Sequence, residues 1–359
     1  MPTSPATLKE ARRLRDLFAS KGGQVFKADV LQAAGTLLDL YGEDIRARAY
    51  VTSDPLHGEM VLRPDFTVPV VQMHMESRAD PARYTYSGKV FRQQETDETR
   101  ANEYVQVGYE VFDGQNPAAA DAEVFAAIYE GLAGLPVRPA SGDIGVLMAA
   151  VRGLRTTDDR KAALLRHIWR PARFRALLKR FGAGTVPPSR AALLQATDPF
   201  AGAGPDIGLR SRAEIATRIE ALRADAAAPP ISSEEIALID AILSLRETAP
   251  HVLSELRDIS VDMPAIGAAV EGIDARLHAL AARGIDVETL EFEGSYGRTS
   301  LEYYDGFVFG FYAINRPDLP PVATGGRYDA LTTQLGPGRA VPAVGGVIRP
   351  DLALEVGAC

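Results

Sequence analysis

The chain has 359 residues, of which 46% are hydrophobic, 24% charged and 7% aromatic, and its 47 acidic and 39 basic side chains leave a formal charge of −8. This length suggests about two domains with sizeable cores, and the acidic balance argues against a broad nucleic-acid-coating surface, which needs clustered cations. One cysteine, Cys359, excludes an internal disulfide framework and a cysteine-based zinc cluster, and the apolar runs fall short of the roughly 20 residues of a membrane span, so a cytoplasmic protein away from membranes is expected.

From Met1 to Lys21, Leu8, Ala11, Leu14, Leu17 and Phe18 recur at helical spacing among Lys9, Glu10, Arg12, Arg13 and Arg15, which predicts an amphipathic helix rather than a signal peptide. From about Gly58 to Gly114 the texture is that of strands: EMVLRPDFTVPVV, RYTYSGKVFRQQ and NEYVQVGYEVFDG. A helix follows over Asp121 to Leu132, then a strand near Val137. Between about Gly145 and Arg283 the chain is rich in Ala, Leu, Arg and Glu at 3.6-residue spacing, punctuated by Pro187-Pro188 and Pro229-Pro230. Ser232 and Ser233 ahead of Glu234 and Glu235 mark a helix start inside it. After Ile285 strand texture returns in DVETLEFEG, LEYYDGFVFGFYAI and VPAVGGVI. Two organisations fit: one α+β core interrupted by a helical insertion, or two sequential domains and a tail.

A strand points alternate side chains to opposite faces. In LRPDFT, Arg63, Asp65 and Thr67 then share a face. In YVQVGYEVF, Tyr104, Gln106, Gly108 and Glu110 lie opposite Val105, Val107, Tyr109 and Val111. Val90, Arg92 and Gln94 share a face in KVFRQQ, as do Glu302 and Tyr304 in LEYYDGF. A half-solvated sheet with its polar side outward is one reading. The residue types suggest another: one arginine, two carboxylates, a glutamine and tyrosine hydroxyls, with Gly108 leaving space, suit a concave pocket for a small zwitterion. GGRYD, Gly325 to Asp329, is a tight turn, a phosphate contact or a site of close backbone approach. His57, His74, His167, His251 and His278 show no ligand spacing, and no G-x-S-x-G elbow is present.

Together these segments resemble the catalytic core of a class II aminoacyl-tRNA synthetase, specifically histidyl-tRNA synthetase. LRPDFT resembles its LRPEGT, and GKVFRQQETDETRANEYVQVGYEVF its motif 2 hairpin. LEYYDGFVF resembles LDYYTGTVF, GGRYDALTTQLG resembles GGRYDGLVEQLG, and PAVGGVI the start of motif 3. The resemblance runs over about Ala19 to Gly145 and Leu290 to the end. It implies an α+β fold, a mostly antiparallel sheet flanked by helices and dimeric through motif 1, with residues 1–145 and 286–359 as the core and 146–285 as a helical insertion. It also implies that Asp65, Thr67 and Gln106 hold the α-amino group of histidine, that Arg92 lies near its carboxylate, and that Glu110 and Tyr304, with Tyr303 beside them, read the imidazole. Asp65 is one methylene shorter than the family's glutamate, and VFKADVLQ lacks the usual proline of motif 1.

The departures fall on ATP chemistry. Thr299 stands where the family has an arginine, with Arg298 one position earlier, where a slipped loop restores it in part. Asp351 and Leu352 replace the motif 3 Glu-Arg pair, Pro350 disfavours helix at Arg349, and Gln94 and Glu95 replace a glutamate and an arginine of motif 2. Losing one preorganised charge stabiliser typically costs about 10²–10³ in rate. The chain also ends just after motif 3, where the synthetase continues into an anticodon-binding domain. A kept histidine pocket with lost ATP and tRNA functions resembles the regulatory subunits of ATP phosphoribosyltransferase, which GEDIRARAYVTSD followed by LRPDFTVPV also resembles. That resemblance implies a non-catalytic histidine-biosynthesis protein without cofactor, metal or tRNA. It would join the short-form catalytic subunit, support its activity and confer histidine feedback, with the loops Glu95–Ala101 and Gly294–Ser300 ordering around the ligand. The alternatives are a stand-alone amino-acid-activating enzyme or truncated synthetase, and an interaction protein with a vestigial pocket.

Overall fold

The computed structural model describes residues 3–35, 48–77, 79–94, 100–184, 186–204, 207–298, 303–336 and 339–358. Helix α1 (Pro5–Ser20) is the expected amphipathic helix: Ser4 accepts from the Thr7 amide at 3.0 Å, and Ala11, Leu14 and Phe18 are buried. It leads into β1 (Gln24–Val25), and then β2 (Leu31–Ala33), β3 (Val51–Asp54) and β4 (Gly58–Leu62) form a small antiparallel sheet in the order β2-β4-β3.

EMVLRPDFTVPVV is not one strand: β4 stops at Leu62 and helix α2 (Thr67–Ser77) begins five residues on. Pro64 offers no amide to a ladder, and Pro69 is tolerated because it sits in the first helical turn, where amides have no intrahelical partner. The Asp65 carboxylate accepts from the Thr67 amide at 3.0 Å and satisfies one of those amides. Local capping thus overrides a run of β-branched residues.

Two long strands follow, β5 (Ala82–Phe91) and β6 (Glu103–Phe112), paired antiparallel with Tyr86 opposite Gly108. Next come α3 (Pro117–Gly131) and β7 (Val137–Asp143), at the places expected. The helical stretch holds α4 (Ile144–Gly153), α5 (Asp158–Arg166), α6 (Pro171–Ala183), α7 (Pro188–Gln195), α8 (Arg212–Ala227), α9 (Ser233–Ser244), α10 (Ala249–Asp262) and α11 (Gly267–Ala281). Ser232 caps α9 in a reciprocal box with Glu235, as its sequence suggests. This stretch is not wholly helical, since Arg246–Thr248 forms β8, an edge strand on β9 (Glu291–Glu293). The chain ends with β10 (Phe307–Ala313), β11 (Ala323–Arg327), α12 (Asp329–Leu335), β12 (Ala343–Ile348) and α13 (Pro350–Gly357). Pro350 opens α13, with Arg349 extended before it, as expected of the residue preceding a proline.

Strands from both sides of the helical stretch build one nine-stranded sheet, ordered β1-β5-β6-β12-β11-β10-β7-β9-β8, antiparallel except for the β1–β5 and β7–β9 pairs. One face carries a mixed apolar core: Val105, Val107 and Val111 pack with Leu14, Ile128, Phe125, the phenylalanines of β10 and the apolar sides of α4, α9, α10 and α11. The other face is aromatic, with Phe66, Tyr84, Tyr86, Tyr104, Phe112, Tyr303, Tyr304 and Tyr328. Every residue of β6 after Glu103 is buried, so the half-solvated reading of this strand is wrong: its polar side is covered by protein, not water.

A buried ion network ties α11 to the sheet. Arg276 donates at 2.8 Å to both Asp121 of α3 and Asp143, the N-cap of α4, and Arg327 reaches Asp121 at 2.6 Å. Removing one member strands charge in a low-dielectric interior, which typically costs about 3–5 kcal/mol. Arg276→Ala is therefore expected to lower the unfolding free energy by about that amount in a urea titration.

Candidate functional site

The structure gathers Asp65, Thr67, Arg92, Gln106, Glu110, Tyr303 and Tyr304 around one cavity of about 180 Å³. That is below the roughly 300–1,000 Å³ of drug-sized sites and suits a ligand of amino-acid size. Its floor is β6. Alternation along this strand sends Gln106 and Glu110 to the cavity side and Tyr109 to the opposite side, where its hydroxyl donates to Glu123 at 2.7 Å.

Glu110 is 1% exposed and is held from three directions. The Tyr86 hydroxyl donates to Oε1 at 2.8 Å, Tyr328 to Oε2 at 2.7 Å, and Thr67 to Oε1 at 3.3 Å. Burial raises the carboxyl pKa to about 7, against the pull of the tyrosine hydroxyls. Two glycines make this arrangement possible. A Cβ on Gly345, the partner of Glu110 across β12, would fall 1.4 Å from Oε2, and one on Gly108 would fall 2.1 Å from the Tyr86 ring. The space at Gly108 therefore belongs to Tyr86 rather than to the open pocket.

The second carboxylate, Asp65, is also buried, with Tyr303 Oη at 3.5 Å and Arg92 Nη2 at 4.0 Å from its Oδ2. Arg92 is steered by its Nε, which donates to the Pro64 carbonyl at 2.7 Å. Gln106 is 4% exposed, and its side-chain oxygen has no hydrogen-bond donor. Such an orphan costs about 1–3 kcal/mol unless a ligand or water satisfies it. The cavity thus offers acceptors at its centre (Asp65, Glu110 and the Gln106 oxygen) and cations at one side (Arg92 and Arg48). A molecule with an ammonium group, further N–H donors and a carboxylate complements that pattern.

Tyr86, Tyr328, Arg48 and Tyr296 also belong to the site or its support, and the sequence reading assigned them no role there. GGRYD is the site of close backbone approach among its three readings: a Cβ on Gly325 would meet the Gly345 carbonyl at 2.4 Å, Arg327 enters the buried ion network and Tyr328 reaches Glu110. Arg298 does not restore the missing arginine. It turns away from the cavity, donating from Nε to the Ile168 carbonyl at 2.8 Å and lying over the Phe174 ring. Leu352 is buried in the apolar core on the far face of the sheet, and Asp351 pairs with Arg349 at 2.8 Å. Next to the cavity, a shelf of about 170 Å³ is lined by Arg48, Arg92, Gln94, Arg100 and Arg349. Glu95, Thr299, Glu302 and half of the residues in the two loops expected to order around a ligand (95–99 and 299–300) lie outside the described residues. None of the five histidines lines the cavity. His74 is buried on Phe112, and burial holds its pKa down at about 4. Among the described residues no group of three metal-ligating side chains occurs, and no helix is long and apolar enough to cross a membrane.

The sheet and its polar cavity define a class II aminoacyl-tRNA synthetase-like core. The histidyl-tRNA synthetase profile matches residues 3–204 and 211–351. A solved ATP phosphoribosyltransferase regulatory subunit/histidyl-tRNA synthetase from Bacillus halodurans is similar with a TM-score of 0.67 at 21% identity, covering 99% of this chain and 81% of that one. A histidyl-tRNA synthetase from Nostoc has a TM-score of 0.63 at 15% identity, covering 97% and 70%. ATP phosphoribosyltransferase regulatory subunits of Allorhizobium ampelinum and Mesorhizobium japonicum are 30% and 31% identical, each over 93% of this chain and 94% of their own. The chain belongs to the ATP phosphoribosyltransferase regulatory subunits, a histidyl-tRNA synthetase-like family whose members regulate rather than carry out the transfer.

The elevated Glu110 pKa has a sign that can be tested. Its folded value of about 7 lies above the ordinary 4.5, so its stabilising contribution is complete below pH 4.5 and is lost as the pH rises through 7. Between pH 5 and 8 the wild type should lose on the order of 1–3 kcal/mol relative to Glu110→Gln, measured as the difference between their unfolding free energies.

Proposed function

We propose that this chain binds free histidine in the Glu110 cavity and communicates its occupancy to a short-form ATP phosphoribosyltransferase catalytic subunit in the cytoplasm. The observation that carries the reading is the unpartnered Gln106 oxygen, buried in the same cavity as two carboxylates. The ammonium group of histidine would donate to Asp65, Gln106 and Thr67. Its carboxylate would meet Arg92, and its imidazole N–H would donate to Glu110, with Tyr303 and Tyr304 closing over the ring. A buried carboxylate with a pKa of about 7 accepts from a neutral imidazole or pairs with an imidazolium, so one site serves both forms near neutral pH.

Regulation then follows from linkage. If the cavity closes on histidine in only one arrangement of subunits, histidine shifts the population of that arrangement by its differential affinity. The synthetase-like core would also pair with a second copy of itself, and residues 146–285 would stand as an insertion in it, with no contact to tRNA required of either part.

The test is reconstitution. Wild-type chain mixed with the catalytic subunit should restore phosphoribosyl transfer, and histidine should inhibit it. Glu110→Ala should weaken histidine binding at least ~30-fold by calorimetry, the loss of about 2 kcal/mol, while the variant still co-elutes with the catalytic subunit. Unchanged histidine affinity in that variant would place the pocket elsewhere.

A further inference from the structure

A second cavity, of about 540 Å³, lies where the helical stretch meets the β9–β10 end of the sheet. Four arginines line it, Arg138, Arg175, Arg246 and Arg298, against two carboxylates, Glu291 and Glu293. Both carboxylates are engaged: Glu291 is paired with Arg138, and Glu293 accepts from the Ser295 hydroxyl at 2.6 Å.

Arg298 is the informative member. It is 3% exposed, its Nη2 is enclosed without an acceptor, and among the described residues it has no ion-pair partner. A guanidinium buried in this way is costly unless something anionic answers it. Burial, with Arg175 adding repulsion, lowers its pKa to about 10, so the site leaves this cation poorly stabilised.

An independent feature points into the same space. Helix α6 starts at Pro171, which lines the cavity, and no side chain caps its N-terminus. Its dipole places partial positive charge at that end. Arg298 lies against this helix start, bonded to Ile168 and stacked on Phe174, and Arg175 is on the next turn. These sources of positive potential converge on one cavity whose four arginines outnumber its two carboxylates, one of which is already paired with Arg138.

We infer that this cavity is an anion site for a phosphate group, free or carried on a small sugar phosphate. Several arginine forks supply the donors that a phosphate's oxygens accept, more than one carboxylate would use, and the helix dipole adds to their potential. Tyr296 lines both this cavity and the Glu110 cavity, so a bound anion lies one side chain away from the first site. The inference does not depend on histidine binding, and the two can fail separately.

The experiment is a titration of the full chain with inorganic phosphate and with ribose 5-phosphate, followed by phosphorus NMR and by thermal unfolding. Ionic strength is held constant with chloride and acetate. Saturable line broadening and a rise in Tm are expected for the wild type and not for acetate. Arg175→Gln, at an exposed position, should fold normally and weaken binding at least ~10-fold; Arg298→Lys should weaken it as well. Arg100→Gln, on the other shelf, should leave it unchanged. Tighter binding of ribose 5-phosphate than of phosphate supports a sugar phosphate, and equal binding supports the free ion. No saturable response, an equal response to acetate, or a response that Arg175→Gln leaves intact would overturn the assignment.

Discussion

A carboxylate taken out of water must find donors to replace the water, and Glu110 meets this condition on β6, inside the sheet. Its three hydroxyl donors come from parts of the chain far apart in sequence: Thr67 at the start of α2, Tyr86 on β5 and Tyr328 beyond β11. None can move far without leaving a buried charge short of a partner. The requirement for space is as strict as the requirement for donors. Gly345 exists where a side chain would coincide with Oε2, and Gly108 where one would coincide with the Tyr86 ring.

Much of the surrounding architecture serves to hold those donors. GGRYD carries two anchors in adjacent positions: Arg327 binds Asp121 in the core while Tyr328 turns to Glu110. Asp121 is shared with Arg276 of α11, so the helix that ends the helical stretch is bolted to the strand end that positions Tyr328. Asp329 accepts from the Ala343 amide at 2.8 Å and locks the entry of β12, the strand bearing Gly345. A change in how α11 packs would therefore be felt at the cavity through charged groups rather than through soft apolar contacts, which suits a protein that regulates instead of catalysing.

The parts of this legible in the sequence were those set by local periodicity. The alternation of YVQVGYEVF placed Gln106 and Glu110 on one side because a strand has period two, and the 3.6 spacing marked α1 and the helical stretch. What the sequence hid depends on pairing across strands. Tyr86 opposes Gly108, and Gly345 opposes Glu110, only once the register is known. Asp65 and Thr67 reach the cavity, but from a loop and a capped helix start, because the prolines and the Asp65 cap outweighed the β-branched pattern. Arg298 shows the opposite limit. One position along the chain is enough to aim a long side chain into a different cavity.

The site is proposed to bind histidine without activating it. The measurement that tests this most directly is histidine-dependent exchange of pyrophosphate with ATP, run on the same preparation in which histidine binding is measured by calorimetry. Saturable heat of histidine binding with no exchange above background is the predicted result. Exchange that depends on histidine and disappears in Glu110→Ala would show that the chain activates the amino acid, and would contradict a purely binding role.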